Sequence, residues 1–224
     1  HYTIAGSFPI SKHFQFLLHS FPTDTLIIIE RFTWWFHILG IFGFMNYVLI
    51  SKHLHIFFAF PSTYYANINK LGQFDNLQSV TNEVKLMLDP SADPYAVNND
   101  DNSNTPQLFG ARDATDLNWV QLLNSYSCTE CGRCSSVCPA NQTGKLLSPR
   151  KVMMDTRDRI EEIGSNLAKD DGKFLLGDYI TKEELWACTT CNACTDACPI
   201  NLDPLSIIVD LRRYLVMEES SAPT

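Results

Sequence analysis

Two stretches of this chain repeat one another: SCTECGRCSSVCPA at residues 127–140 and ACTTCNACTDACPI at residues 187–200. Each carries the spacing C-x2-C-x2-C-x3-C-P, and each cysteine of the second lies 60 residues after its counterpart in the first. All eight cysteines of the 224-residue chain fall in these two runs. A solenoid needs three or more copies, so two copies predict a pseudo-symmetric pair.

The spacing has a chemical reading. Three thiolates on one tight loop can reach three corners of a small cube. The fourth cysteine opens the next helix and faces away, and in two-cluster iron–sulfur domains it ligates the other cluster. The pattern predicts two [4Fe–4S] clusters with crossed ligation, one on Cys128, Cys131, Cys134 and Cys198 and one on Cys188, Cys191, Cys194 and Cys138. The proline after each run turns the chain out of the site. Structural zinc is the first alternative, but zinc sites pair two C-x2-C knuckles and lack the third cysteine and the C-P beyond it. Disulfides are the second, but cysteines three apart bridge poorly and a cytosolic tail stays reduced. Gly132 and Ala193 keep the loops compact, so that backbone N–H groups can donate to cluster sulfurs. Arg133 and Lys145 flank the loops, where the plain reading is solvated surface charge.

The N-terminal quarter is of another kind. Residues 32–51, FTWWFHILGIFGFMNYVLIS, contain no Asp, Glu, Lys or Arg. Twenty helical residues span about 30 Å, the hydrocarbon thickness of a bilayer. The stretch lacks the basic region and small-residue cleavage site of a signal peptide. A long helix is expected from about Thr25 to Phe60, ending at Pro61, with a loop or short surface helix before it. On one unbroken helix His37 and His55 stand five turns apart, on one face and about 27 Å from each other along the axis. That suits two stacked haems, each taking one axial imidazole. The alternative is that His37 hydrogen-bonds a neighbouring helix and His55 sits at headgroup level. His53 points about 160° away from His55 and reads as interfacial, beside a snorkelling Lys52. Of the remaining histidines, His1, His13 and His19 lie outside the span, so partner ligands are expected from other membrane helices or another subunit. The chain opens on His1, and more sequence upstream is expected. Reduced cysteines put the C-terminal side of the helix in the cytoplasm, which agrees with Lys52 at that end.

Residues 61–115 read as an irregular linker, with the turn-rich PSADPYAVNNDDNSNTP at 90–106. From Asp116 to the end, short helices alternate with the cysteine loops. Ser148 is an N-cap followed by Pro149, with Gly164 at the far end. Thr181 and Glu184 form a capping box, and DPLSIIVDLRRYLVMEE closes the chain as an amphipathic helix. The fold class expected is mainly α: a transmembrane helix that is part of a haem-b bundle (residues 1–60), a linker, and an α-helical 2[4Fe–4S] ferredoxin-like domain (residues 116–224). A net charge of −8 without a basic stretch argues against nucleic acid as a partner.

A family resemblance rests on these residues. WWFHILGIFGFMNYVLISKHLHIF, residues 34–57, resembles the last membrane helix of the respiratory nitrate reductase gamma-subunit fold. It is still more similar to the membrane part of bacterial heterodisulfide-reductase-like iron–sulfur oxidoreductases, in which a stretch like SKHLHI is typical. CTECGRCSSVCPANQTGKLLSPRKVMMDTRDRI and WACTTCNACTDACPINLDPLSIIVDLRRYLVM resemble the ferredoxin-like part of the same family, which includes relatives that link electron-transfer flavoprotein to quinone. The resemblance implies that His37 and His55 bind b-type haem and that the chain sits in a bacterial inner membrane, its ferredoxin-like part on the cytoplasmic side. It also implies a quinone as membrane partner. On the cytoplasmic side it implies a CCG-domain iron–sulfur subunit, an electron-transfer flavoprotein, a thiol/disulfide couple or a dehydrogenase. The CCG domains and the first membrane helices of fused relatives are not in this sequence. The function expected is an electron-transfer subunit of a membrane oxidoreductase. No Ser/His/Asp grouping, phosphate loop or carboxylate pair competes with it. The alternative is a membrane-anchored ferredoxin-like docking module without haem or quinone chemistry.

Overall fold

The computed structural model describes residues 9–69, 72–88, 108–166 and 171–223, and these contain helices but no strand. The turn-rich stretch at 90–106, His1 and the side chain of Lys52 lie outside the described residues. The chain divides into two compact units, His1–His53 and Leu54–Thr224.

The first unit holds the short α1 (Gln15–Leu18) and the long α2 (Thr23–Leu49). α2 has 27 residues and is long and apolar enough to cross a membrane, with none of its most apolar window buried. Two of its polar side chains turn back on their own helix: Thr33 Oγ1 donates to the Ile29 carbonyl at 2.9 Å and Asn46 Nδ2 to that of Phe42 at 2.9 Å. A helix facing hydrocarbon needs its polar groups satisfied in this way.

The unbroken helix expected from Thr25 to Phe60 is not observed. α2 stops at Leu49, Ile50 leaves the helical path (φ −108°, ψ 9°), and a 3-10 turn covers Lys52–Leu54 before α3 (His55–Tyr64) begins. Ser51 explains the stop, because its hydroxyl donates to the Val48 carbonyl and accepts from the His53 N–H, both at 3.3 Å. Such local bonds offer the backbone an alternative to the helical ladder. Pro61, expected to end the helix, lies inside α3. The wheel that put His37 and His55 on one face therefore does not apply: His37 is on α2, and His55 is the first residue of α3.

In the second unit α3 packs against α5 (Trp119–Ser127) after an intervening α4 (Gln78–Leu88). α4 falls in the stretch expected to be irregular; residues 78–88 contain neither Pro nor Gly, and Val80, Val84 and Met87 recur at helical spacing. A buried hydrogen bond from Ser62 Oγ to Asn124 Oδ1 at 2.9 Å joins α3 to α5. Phe58 meets Tyr126 and Tyr65 meets Trp119 edge to face.

The pseudo-symmetric pair is visible element by element. α5 and α9 (Lys182–Ala187) each open on a capping box, Asn118 with Gln121 and Thr181 with Glu184, and each is C-capped by the first cysteine of its run. The short α6 (Arg133–Val137) and α10 (Ala193–Asp196) carry the third cysteines and pack on each other. α7 (Pro139–Gln142) follows Cys138 in the first copy. Each copy ends in a long helix with proline at its start: α8 (Pro149–Ser165), capped by Ser148, and α11 (Pro204–Met217), capped by Asp203. α11 is the centre of the core, with Leu205, Ile207, Ile208, Leu211 and Leu215 all at most 1% exposed. Leu147, Met153, Leu175, Ile180 and Leu185 close around it.

Candidate iron–sulfur site

The two loops have the same backbone. Glu130 (φ 58°) and Thr190 (φ 55°) are left-handed, and so are Gly132 (φ 79°) and Asn192 (φ 61°) at the next matching positions. Successive N–H groups in turns of this kind face inward and make a concavity for an anion. The N–H groups of Glu130, Thr190 and Ala193 donate to the sulfurs of Cys128, Cys188 and Cys191. A hydroxyl follows each third cysteine: Ser135 beside Cys134 and Thr195 beside Cys194. Each hydroxyl also reaches the N-cap of the long helix in its own copy, Ser135 to Ser148 at 2.7 Å and Thr195 to Asp203 at 3.1 Å. Each third cysteine is thereby tied to the start of a core helix.

The fourth cysteines lie near the opposite runs. Cys128, Cys131, Cys134 and Cys198 line one cavity, together with Cys194, Arg133, Arg150 and Met153. Cys138 lies close enough to Cys188 to interact with it electrostatically, as do Cys191 and Cys194. Cys138 and Cys194 are buried, while Cys131 and Cys191 reach the surface. Burial pushes the thiols of Cys128, Cys134 and Cys188 up, and that of Cys194 up to about 12. Cys191 shifts down instead, because the Ala193 N–H and the Thr189 hydroxyl stabilise its thiolate.

The donor set fits iron–sulfur clusters. Among the described residues no three Cys, His, Asp or Glu side chains are placed to hold one metal ion together. A cube takes one thiolate at each corner, and its corners stand farther apart than the vertices around a single ion. On binding a cluster the thiols would give up their protons to the positively charged iron–sulfide core, and the N–H donors around them suit the net negative charge of the thiolate-ligated assembly.

His37 is exposed on α2, and His53 lies 6.3 Å from the Tyr47 ring in the first unit. His55 is half-buried at the start of α3. Sequence reasoning missed the left-handed pairs, the hydroxyls of Ser135 and Thr195, and the arginines discussed below. Aligning the chain with itself at the 60-residue offset exposes the first two, since Glu130 falls on Thr190 and Ser135 on Thr195.

Residues 127–202 match the family described as the 4Fe-4S dicluster domain. The chain thus carries an iron–sulfur electron-transfer domain. It is similar to a probable iron-sulfur-binding oxidoreductase, FadF, of Bacillus subtilis (strain 168), 30% identical over 96% of this chain and 32% of that protein. It is also similar to the EtfAB:quinone oxidoreductase of Syntrophomonas wolfei, 28% identical over 96% of this chain and 30% of that protein. A probable membrane-anchored ferredoxin of Chromohalobacter salexigens is 32% identical over 51% of this chain and 20% of its own length. The chain thus spans about a third of the length of the first two relatives. No solved structure matches it. The resemblance to iron–sulfur oxidoreductases read from the sequence holds.

Proposed function

We propose that this chain is part of an electron-transfer subunit of a membrane-bound oxidoreductase. It passes electrons between a cytoplasmic redox partner and the quinone pool. Two [4Fe–4S] clusters with crossed ligation carry them through the second unit, on the eight cysteines assigned above. Haem b held by His55 and His37, with partner imidazoles from other membrane helices or another subunit, carries them across the bacterial inner membrane. The cytoplasmic partner is a CCG-domain iron–sulfur protein or an electron-transfer flavoprotein. The clusters supply one-electron chemistry when bound; the chain positions them and sets their potentials. The observation that carries this reading is the convergence of Cys198 with the first cysteine run in one cavity.

A second reading is favoured by the break at Ile50–Leu54, which ends α2 before His55. It is a membrane-anchored ferredoxin with α2 as anchor and no haem. The absorption spectrum of the membrane-extracted protein with its associated subunits separates the two. Sharp reduced α-bands that lose one haem in His55→Ala support the haem route. A broad iron–sulfur shoulder alone supports the anchored ferredoxin. Iron well below about eight atoms per chain sinks both.

A further inference from the structure

The two halves of the cysteine domain differ in how one arginine is neutralised. Arg157 on α8 and Arg212 on α11 occupy matching positions, at the same remove from the prolines that open their helices, Pro149 and Pro204. Arg157 Nη2 lies 3.0 Å from Glu130 Oε1, in the loop between Cys128 and Cys131. The matching loop residue in the second run is Thr190, which has no charge. Arg212 instead donates from Nε to the Leu185 carbonyl at 3.0 Å and from Nη2 to the carbonyls of Leu185 and Cys188, with its guanidinium 5.0 Å from the Trp186 ring centroid. Among the described residues no carboxylate pairs with it.

A half-buried cation without a counter-ion is costly. The cluster that Cys188 would hold supplies such a counter-charge. We propose that Arg212 raises the reduction potential of the cluster on Cys188, Cys191, Cys194 and Cys138, an effect that Glu130 cancels for the matching Arg157 in the first copy. The inference rests on the reading that these thiols hold clusters. A cluster with four thiolates is anionic and becomes more so on taking an electron, so a fixed neighbouring cation favours the reduced form. Cluster potentials respond to net charge and hydrogen bonding in this way. Asp203 places a carboxylate near Cys194, where the Thr195 hydroxyl and the amides of Leu205 and Ser206 hold it. It is the same in every variant below and drops out of the comparison.

The test is an EPR-monitored redox titration of the extracted complex with dithionite. The second cluster's signal is identified as the one altered by Cys191→Ser. Iron analysis first settles the underlying reading: a wild-type chain without iron overturns that reading and this proposal with it. With clusters present, Arg212→Gln lowers the midpoint of the second cluster and not of the first. Arg212→Lys keeps most of the wild-type value. Thr190→Glu lowers the second cluster's midpoint too, at a backbone conformation that already accommodates Glu130 in the first copy. Glu130→Gln raises the first cluster's midpoint. Equal shifts in both clusters, no shift, or a Lys variant displaced as far as the Gln variant overturns the proposal. So does loss of the second cluster's iron in Arg212→Gln, which makes the arginine a clamp for the loop.

Discussion

Arg159 of α8 meets Asp113 in a two-point contact, Nε to Oδ1 at 2.9 Å and Nη2 to Oδ2 at 2.8 Å. The arginine is 4% exposed. The same carboxylate accepts the N–H groups of Ala114 and Leu175. The pair thus ties α8 to the segment before α5 and to the turn after residue 171. Arg159→Ala leaves Asp113 buried without its counter-charge, and breaking a buried pair in this way costs about 3–5 kcal/mol. Thermal unfolding of the cluster-loaded chain should register a large drop in midpoint. A variant that melts with the wild type would show that water compensates Asp113.

The same arginine makes the fold sensitive to acid. Asp171 lies 2.6 Å from Arg159 Nη1 and accepts the Lys173 N–H, and these bonds hold its carboxyl below the usual carboxylate range. A carboxyl with a folded pKa below its unfolded one adds stability that is complete above the unfolded value, about 3.9 for Asp, and is lost as pH falls through the folded value. Stability of wild type should therefore decline below about pH 4, and Asp171→Asn should flatten that decline. An unchanged acid profile in the variant assigns the decline to other carboxylates.

Gly110 is required where it stands. Its φ is +93°, and a Cβ there would lie 2.5 Å from both the Asp210 carbonyl oxygen and the Tyr214 nitrogen of α11. Ala111 donates its N–H to the Asp210 carbonyl at 3.0 Å, so the chain cannot back away without losing that bond. Gly110→Ala should destabilise by more than about 1 kcal/mol, read as a lower denaturant midpoint. Full stability in that variant would mean that α11 yields.

Crossed ligation makes a prediction of its own. Cys138→Ser should damage the cluster held by the second run more than the one beside it in sequence, and Cys198→Ser the reverse. EPR of the reduced variants distinguishes the two signals. Loss confined to each cysteine's own run would require uncrossed clusters.

Much of this was legible along the chain. The N-caps Ser148 and Thr181, with the partner Glu184, follow from short-range hydrogen bonding between neighbours in sequence. The apolar stretch over residues 32–51 marks a span-length helix because hydropathy is additive along a helix. The break at Ser51 was missed because one hydroxyl bonded to Val48 and His53 outweighs a strong apolar pattern on either side.

Taken alone, the sequence determined the number of cysteine loops, their spacing and the pairing of copies, because loop chemistry depends on residues a few positions apart. Only the tertiary structure decided which charge stands beside which copy. Arg157 and Arg212 are alike in the sequence, and their partners, Glu130 in one case and the carbonyls of Leu185 and Cys188 in the other, are reached only after α8 and α11 have packed. A neutralising contact across more than twenty residues is set by the helix-on-helix geometry that buries the core, and no local pattern encodes it.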